Sequence, residues 1–204
     1  MNRDFQIITV GHSSHGPLEF IGLLASAGVS AIADVRSQPS SSFASHFNQE
    51  VLRGLVTTVD IAYVWLGAEL GGRPEGAGAY DEGGRVRYDR LSERPDFRAG
   101  IVRLLRGIRT ERIGILCSEE DPTNCHRRLL VGRVLMDLGV TVGHLRGTGE
   151  LQSEAQIREQ EVLRYPDRAR ISLFGSKEEL WRSIRSVSVA TGPNDSPEAV
   201  FQTE

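Results

Sequence analysis

The sequence predicts an α/β protein: a single domain on a mostly parallel five-stranded sheet with helices on both faces, plus a C-terminal helical extension. Three observations carry that expectation. Short apolar runs alternate with segments whose apolar residues recur at helical spacing, the βαβα pattern of a parallel sheet covered on both sides. With 39% hydrophobic residues and a net charge of -3, the chain can bury a core and does not have the composition of a disordered chain. At 204 residues with two cysteines, it has neither the need for a disulfide framework nor the means to build one.

The elements follow in order. Ile7, Ile8, Thr9 and Val10 form a buried-strand run that ends at Gly11. Residues 17–27 start with Pro17, carry Leu18, Ile21, Leu24 and Ala25 at helical spacing, and stop at Gly28. Residues 31–35 are a second strand, and 48–59 a helix with Asn48 as N-cap and Val51, Leu52, Leu55 and Val56 as its apolar face. Residues 61–66 are a third strand, followed by a glycine-rich stretch over 67–84 that is too polar to pack alone. A helix over 95–108 turns Phe97, Ile101, Leu104 and Leu105 inward. Residues 112–117 are a fourth strand, 122–138 a helix stopped by Gly139, and 140–145 a fifth strand.

This assigns residues 1 to about 150 to the α/β core and 151–186 to a helical extension packed on it. The extension would hold one helix near 154–163 and another after Ser176, capped by Ser176 and Glu179. Residues 187–204 read as a disordered tail. The N-terminus lacks the apolar run of a signal peptide, and no stretch nears the roughly 18 apolar residues of a membrane span. A soluble, cytoplasmic protein without membrane contact is therefore expected. Its two cysteines would then be thiols, thiolates or metal ligands. The near-neutral charge argues against a generally basic nucleic-acid coat protein. Of the 24 basic residues 23 are arginine, so position must separate coding bias from guanidiniums that grip phosphate or carboxylate.

In open parallel sheets, ligands bind beyond the carboxyl ends of the strands. Strand one is followed there by Gly11, His12, Ser13, Ser14, His15 and Gly16, strand two by Arg36, Ser37 and a serine run, and strand four by Cys117, Ser118, Glu119, Glu120 and Asp121. Cys125, His126, Arg127 and Arg128 come shortly after, and strand five ends with His144 and Arg146. Four of the five histidines and both cysteines thus converge on one rim.

Each candidate has a structural and a functional reading. Gly11, Ser13 and Ser14 either cap the first helix or turn backbone N–H groups toward an anion. Arg36 either pairs with Asp34, two residues earlier on the same strand face, or clamps a phosphate or carboxylate. His126 heads the core-facing stripe of its helix, with Leu130, Val134 and Leu138, and is expected at the sheet rim. Cys125, near a helix start and beside arginines, is a candidate for a depressed thiol pKa, while Cys117 either ends a buried strand or acts chemically. Tyr63 and Trp65 are core aromatics or a platform for a base. The basic run over 85–90 is a solvated loop or a contact for a phosphate-bearing partner.

Three chemistries fit the rim. The first is a cysteine nucleophile with His12 or His126 as base. The second is a zinc or iron site from Cys117, Cys125, His126 and His12, although C-x7-C-H is not a usual zinc spacing. The third is acid/base catalysis by Glu119 on a phosphorylated substrate clamped by Arg36 and Arg127. A phosphatase-type C-x5-R loop is absent.

Four ordered motifs then carry a resemblance: Gly11-His12-Ser13; Asp34-Val35-Arg36 with Pro39; Leu70-Gly71-Gly72; and Cys117, Glu119 and Pro122 with Cys125-His126-Arg127. Together they resemble a bacterial family catalogued as DUF488, a domain of unknown function, over residues of about 7–175. The chain departs from that pattern in an insertion-like stretch over 76–84. The resemblance implies a single α/β domain and brings no established reaction.

The leading expectation is an enzyme of hydrolase or transferase type, acting on a phosphorylated or nucleotide-like substrate or on a modified nucleic acid. His12, Glu119, Cys117 and His126 are its catalytic candidates. Gly11, Ser13, Ser14, Arg36, Ser37, Arg73, Cys125 and Arg127 are its substrate-binding candidates. No metal ligand and no cofactor is assigned. A metal-binding or thiol-dependent enzyme built on Cys117, Cys125, His126 and His12 is the first alternative, and a non-catalytic nucleic-acid-binding module the second.

Overall fold

Strand β1 (Ile7–Gly11) is buried along its whole length and runs between β4 (Ile113–Cys117) and β5 (Val142–Leu145), which makes it the spine of the sheet. The computed structural model describes residues 4–166 and 181–187. Its sheet has the order β3-β2-β4-β1-β5-β6, with β2 at Ala31–Asp34 and β3 at Ala62–Trp65. The first five strands are parallel, and only β6 (Leu151–Ser153) pairs antiparallel, with Leu145 opposite Leu151.

The sixth strand corrects the expected five. Three residues are too few to show a period, and β6 exists because Arg146 N–H donates to the Glu150 carbonyl at 2.8 Å and folds the chain back along β5. The sheet is thus mixed at one edge, with β6 starting at Leu151, the first residue of the expected extension.

Side chains alternate across the sheet and feed two cores. On one face Ile8, Val10, Ile32 and Leu116 pack against Phe20, Leu23 and Leu24 of α1 (Pro17–Ser26) and Leu52 and Val56 of α2 (Gln49–Thr57). Val51, expected on that apolar face, is 54% exposed instead. Two short helices follow, α3 (Gly67–Leu70), inside the stretch over 67–84 expected to be unable to pack alone, and α4 (Tyr88–Leu91), just after it; within that stretch Leu70, Ala79 and Tyr80 are buried. On the opposite face Ile7, Ala33, Ile113 and Ile115 meet Phe97, Ile101 and Leu104 of α5 (Pro95–Gly107). Leu130 and Leu135 complete that core.

The helix expected over 122–138 is broken. A 3-10 turn at Pro122–Asn124 stops at Cys125, which is extended at φ -112 and ψ 137. A π-helical segment at Arg127–Gly132 then leads into α6 (Arg133–Asp137). Asp121 caps the turn as expected, accepting from Thr123 N–H at 2.9 Å. The break takes Cys125 out of the helix and leaves His126, at φ -60 and ψ -25, heading the π-helical segment. After β6, α7 (Glu154–Arg164) carries a capping box between Ser153 and Gln156. The cap pair expected at Ser176 and Glu179 and nearly all of the tail over 187–204 lie outside the described residues, while residues 181–186, expected to be part of the helical extension, hold a bridge from Arg182 to Arg87 and no helix. No described helix is long and apolar enough to cross a membrane.

Candidate active site

Strands β2, β4 and β1 are neighbours, so Arg36, Cys117 and His12 leave the sheet side by side. The connection after β1 runs to α1 on one face, while the connection after β4 runs to α6 on the other. Adjacent strands whose connections part in this way open a crevice at their carboxyl ends. Gly11 lets the two turns meet: a Cβ there would lie 2.0 Å from the Glu119 carbonyl oxygen.

The turn after β1 is committed to the fold. His12 N–H donates to the Cys117 carbonyl and Ser13 N–H to the Ser118 carbonyl, both at 3.0 Å, prolonging the β1–β4 ladder. Neither amide has a hydrogen left for an anion. Ser13 adopts φ 48 to make this turn, and Ser14 is exposed. Gly16, not either serine, is the N-cap of α1, and the Glu19 carboxylate accepts its N–H at 3.3 Å.

Arg36 pairs with Asp34, and both are buried. Its Nη2 donates to Asp34 Oδ2 at 2.6 Å and its Nε to Oδ1 at 2.9 Å, while Tyr63 O–H donates to the same Oδ2 at 2.7 Å. Trp65 Nε1–H donates to the Arg36 carbonyl at 2.9 Å. The two aromatics of β3 thus anchor this wall. His12 Nδ1–H donates to the Ser13 carbonyl, which leaves Nε2 as acceptor for Arg36 Nη1 at 3.2 Å. Burial pushes the His12 pKa down, against the Ser13 hydrogen bond, and the Arg36 charge adds to the lowering. The neutral ring stacks on Phe47 with centroids 4.2 Å apart.

Arg127 does not reach the crevice. It is 0% exposed, its Nη1 donates to Thr9 Oγ1 at 2.6 Å and its Nη2 to the Glu120 carbonyl at 2.5 Å. Its neighbour Arg128 pairs with Glu154 and Glu161, and Arg146 with Glu120. His144 is enclosed between Thr9 and Glu154.

The cysteines and His126 do meet. His126 Nε2–H donates to the Val35 carbonyl at 3.0 Å, which turns Nδ1 toward both sulfurs, 3.8 Å from Cys117 Sγ and 4.0 Å from Cys125 Sγ. The Cys125 S–H hydrogen bond draws the Cys117 pKa well below the ordinary thiol value against the cost of burial; the His126 charge and hydrogen bond and the Glu119 N–H add to it. Burial and the neighbouring Cys117 charge drive Cys125 the other way. Burial pulls the His126 pKa down, but the Cys117 charge and the hydrogen bonds to Cys117 and the Val35 carbonyl together outweigh it and raise it. The three shifts together favour a thiolate at Cys117 facing an imidazolium at His126, with the proton kept on Cys125. Among the described residues, these three form the group that could hold a metal ion, their ligand atoms lying within 4.8 Å of one another.

The trio lines a cleft of roughly 470 Å3 with Arg36, Ser37, Arg73, Glu119 and Asn124. Two glycines shape its floor. A Cβ on Gly71 would lie 2.3 Å from both the Gly67 carbonyl oxygen and Ser37 Oγ, and one on Gly72 would lie 2.6 Å from the His126 ring. Ser37 Oγ accepts Arg73 N–H at 2.9 Å. Of the residues singled out from sequence, the cleft therefore gathers Cys117, Cys125, His126, Glu119, Arg36, Ser37 and Arg73. Gly11, Ser13, Ser14, His12 and Arg127 are not among its lining. Sequence reasoning did not find Asn124, Tyr88 or the Ser183–Val187 segment on the cleft wall; only spatial proximity reveals them.

Neither curated proteins nor solved structures give a match to the chain. The model of the family described as domain of unknown function DUF488 matches residues 17–134, which take in Arg36, Gly72 and the Cys117–His126 centre but not Gly11–Ser13. That span is more than half of the chain, and the protein belongs to the DUF488 family.

Proposed function

We propose that the protein is a cysteine-dependent enzyme of hydrolase or transferase type, with Cys117 as nucleophile, His126 as proton donor and Cys125 as the thiol that steadies the nucleophile. The observation that carries this reading is the approach of one histidine nitrogen to two sulfurs, at 3.8 and 4.0 Å, on the floor of an open cleft. A nucleophile, its proton partner and a group orienting that partner are the parts covalent catalysis needs. Here the Val35 carbonyl does the orienting.

In the first step Cys117 Sγ attacks an electrophilic carbon or phosphorus. The new bond to sulfur forms as the bond to the leaving group breaks, and the leaving group takes the electron pair and the His126 Nδ1 proton. In the second step water, deprotonated by neutral His126, cleaves the thio-linked intermediate, restoring thiolate and imidazolium. Transfer to another hydroxyl or amine follows the same course.

Alkylation by iodoacetamide, read peptide by peptide across pH, tests the reading. Cys117 is expected to react with a midpoint below the value of about 8.5 of a free thiol, and Cys125→Ser or His126→Ala to raise that midpoint. A wild-type midpoint at or above the free-thiol value overturns it. So does stoichiometric zinc or iron in freshly purified protein, which would assign the trio to a metal-dependent enzyme.

A further inference from the structure

The arginines of this chain are mostly engaged. Arg36, Arg87, Arg94, Arg128 and Arg146 each hold an aspartate or glutamate. Arg73 and Arg185 differ. No described side chain or carbonyl pairs with either guanidinium, both are exposed, and both line the Cys117 cleft.

Arg185 is there by construction. Ser183 N–H donates to the Val86 carbonyl and Val86 N–H to Ser183 Oγ, both at 2.9 Å, while the Ser183 hydroxyl donates to the Arg185 carbonyl at 2.7 Å. Val187 N–H reaches the Gly84 carbonyl at 2.9 Å, and Trp181 Nε1–H donates to the Leu129 carbonyl at 2.9 Å. The backbone on both sides of Arg185 is therefore tied to the body of the domain. Arg73 is held on its own wall through its N–H to Ser37. Glu119 is the carboxylate that lines the cleft with them, and Arg36, also there, is neutralised by Asp34. Two unpaired guanidiniums in one cleft leave it with positive charge and fork-shaped donors, a match for carboxylate or phosphate oxygens.

We infer that the cleft selects substrates carrying an oxyanion beside the electrophilic centre, held by Arg73 and Arg185, with Arg185 supplied from beyond the family-matched span. The inference rests on the thiolate reading only for the atom attacked; the anion subsite stands on the two arginines.

Paired alkylation rates test it. Iodoacetate and iodoacetamide differ in carrying a carboxylate or a neutral amide. The ratio of their rates at Cys117, localised by peptide mass spectrometry, is expected to exceed the free-cysteine ratio by about tenfold at low salt, the scale of electrostatic focusing in a charged cleft. Arg73→Ala and Arg185→Ala should each lower the ratio several-fold and Arg185→Lys restore part of it. Arg109→Ala, which removes an exposed arginine outside the cleft, should leave it unchanged. A free-cysteine ratio, or one that both cleft variants leave untouched, overturns the inference. Titration with inorganic phosphate by calorimetry decides independently of the thiol: binding weakened in both cleft variants supports the subsite, and no binding, or binding indifferent to them, removes it. A Cys117 inert to iodoacetamide as well would sink the thiolate reading alone.

Discussion

Two polar clusters flank β1 at the same rim, and their hydrogen bonds are aimed differently. On the β5 side Arg127 donates to Thr9, Thr9 to His144, and His144 to Glu154, which also binds Arg128. The Glu154 carboxylate only accepts, so His144 Nε2 carries a proton; with the ring neutral, Nδ1 takes the Thr9 hydroxyl hydrogen while the Thr9 oxygen accepts from Arg127. A neutral His144 is in keeping with a pKa that burial pushes down. Only Arg127 Nε and Arg128 Nη1 lack partners there among the described residues. On the β4 side Cys117, Cys125 and His126 also satisfy one another, yet they face a cleft beside two arginines with nothing to hold. A polar group closed on its neighbours supports the fold; one that faces open space with charge to spare is available for chemistry.

The comparison breaks most readily at Arg127. Arg127→Ala removes a fully buried side chain and strands the Thr9 and Glu120 acceptors, so unfolding in urea should show a loss of about 3–5 kcal/mol. Cys117→Ser, on the cleft side, should cost under about 1 kcal/mol. Similar losses for the two would erase the distinction.

Acid offers a second, smaller break. Burial pushes the Glu154 carboxyl up, but hydrogen bonds from His144, Arg128 and Arg158 outweigh it and hold its pKa at about 2. A carboxylate with a lowered folded pKa contributes stability above its ordinary value of about 4.5 and loses it as pH falls toward 2. Linkage puts that contribution at up to about 3 kcal/mol. In wild type the drop in urea midpoint between pH 5 and about 2.5 should exceed that of Glu154→Gln. Equal drops would mean that the β5-side cluster does not depend on this charge.

How much of this the sequence discloses depends on the distance between partners. The buried strands were legible because runs such as Ile7–Val10 are continuous and apolar, and the Asp34–Arg36 pair because alternate residues of an extended chain share a face. The helix over 122–138 was misjudged for a local reason: a strong cap at Asp121 and an apolar stripe from Leu130 onward hide the break at Cys125 between them. Arg127 was expected to face an anion because its partner Thr9 lies 118 positions away and leaves no local trace. Convergence of Cys117, Cys125 and His126 was readable from the strand-end rule. Arg185 was not, because it reaches the cleft through hydrogen bonds between Ser183 and Val187 and residues 84–86 and from Trp181 to Leu129, all far away in sequence.

The finest probe of the cleft side is Gly72. Its backbone lies so close to the His126 ring that an added Cβ would sit 2.6 Å from both Cγ and Nδ1, and the ring must move to admit it. No positive φ is involved at this position, so the strain of Gly72→Ala is contact alone. Overpacking of this kind costs about 1–3 kcal/mol, and the low end is expected because the ring faces a cleft into which it can swing. The swing stretches the hydrogen bond from Nε2 to the Val35 carbonyl and draws Nδ1 from Cys117, weakening the charge that favours the thiolate. Gly72→Ala should therefore cost little in urea and still raise the midpoint of Cys117 alkylation. Gly76→Ala, at a glycine with open space around its Cβ position and a φ of +86, should do the reverse: lose stability through backbone strain and leave the alkylation midpoint alone. If Gly72→Ala shifts only stability, His126 is packing against the cysteines rather than holding a charge on one of them, and the two sides of β1 differ less than their geometry suggests.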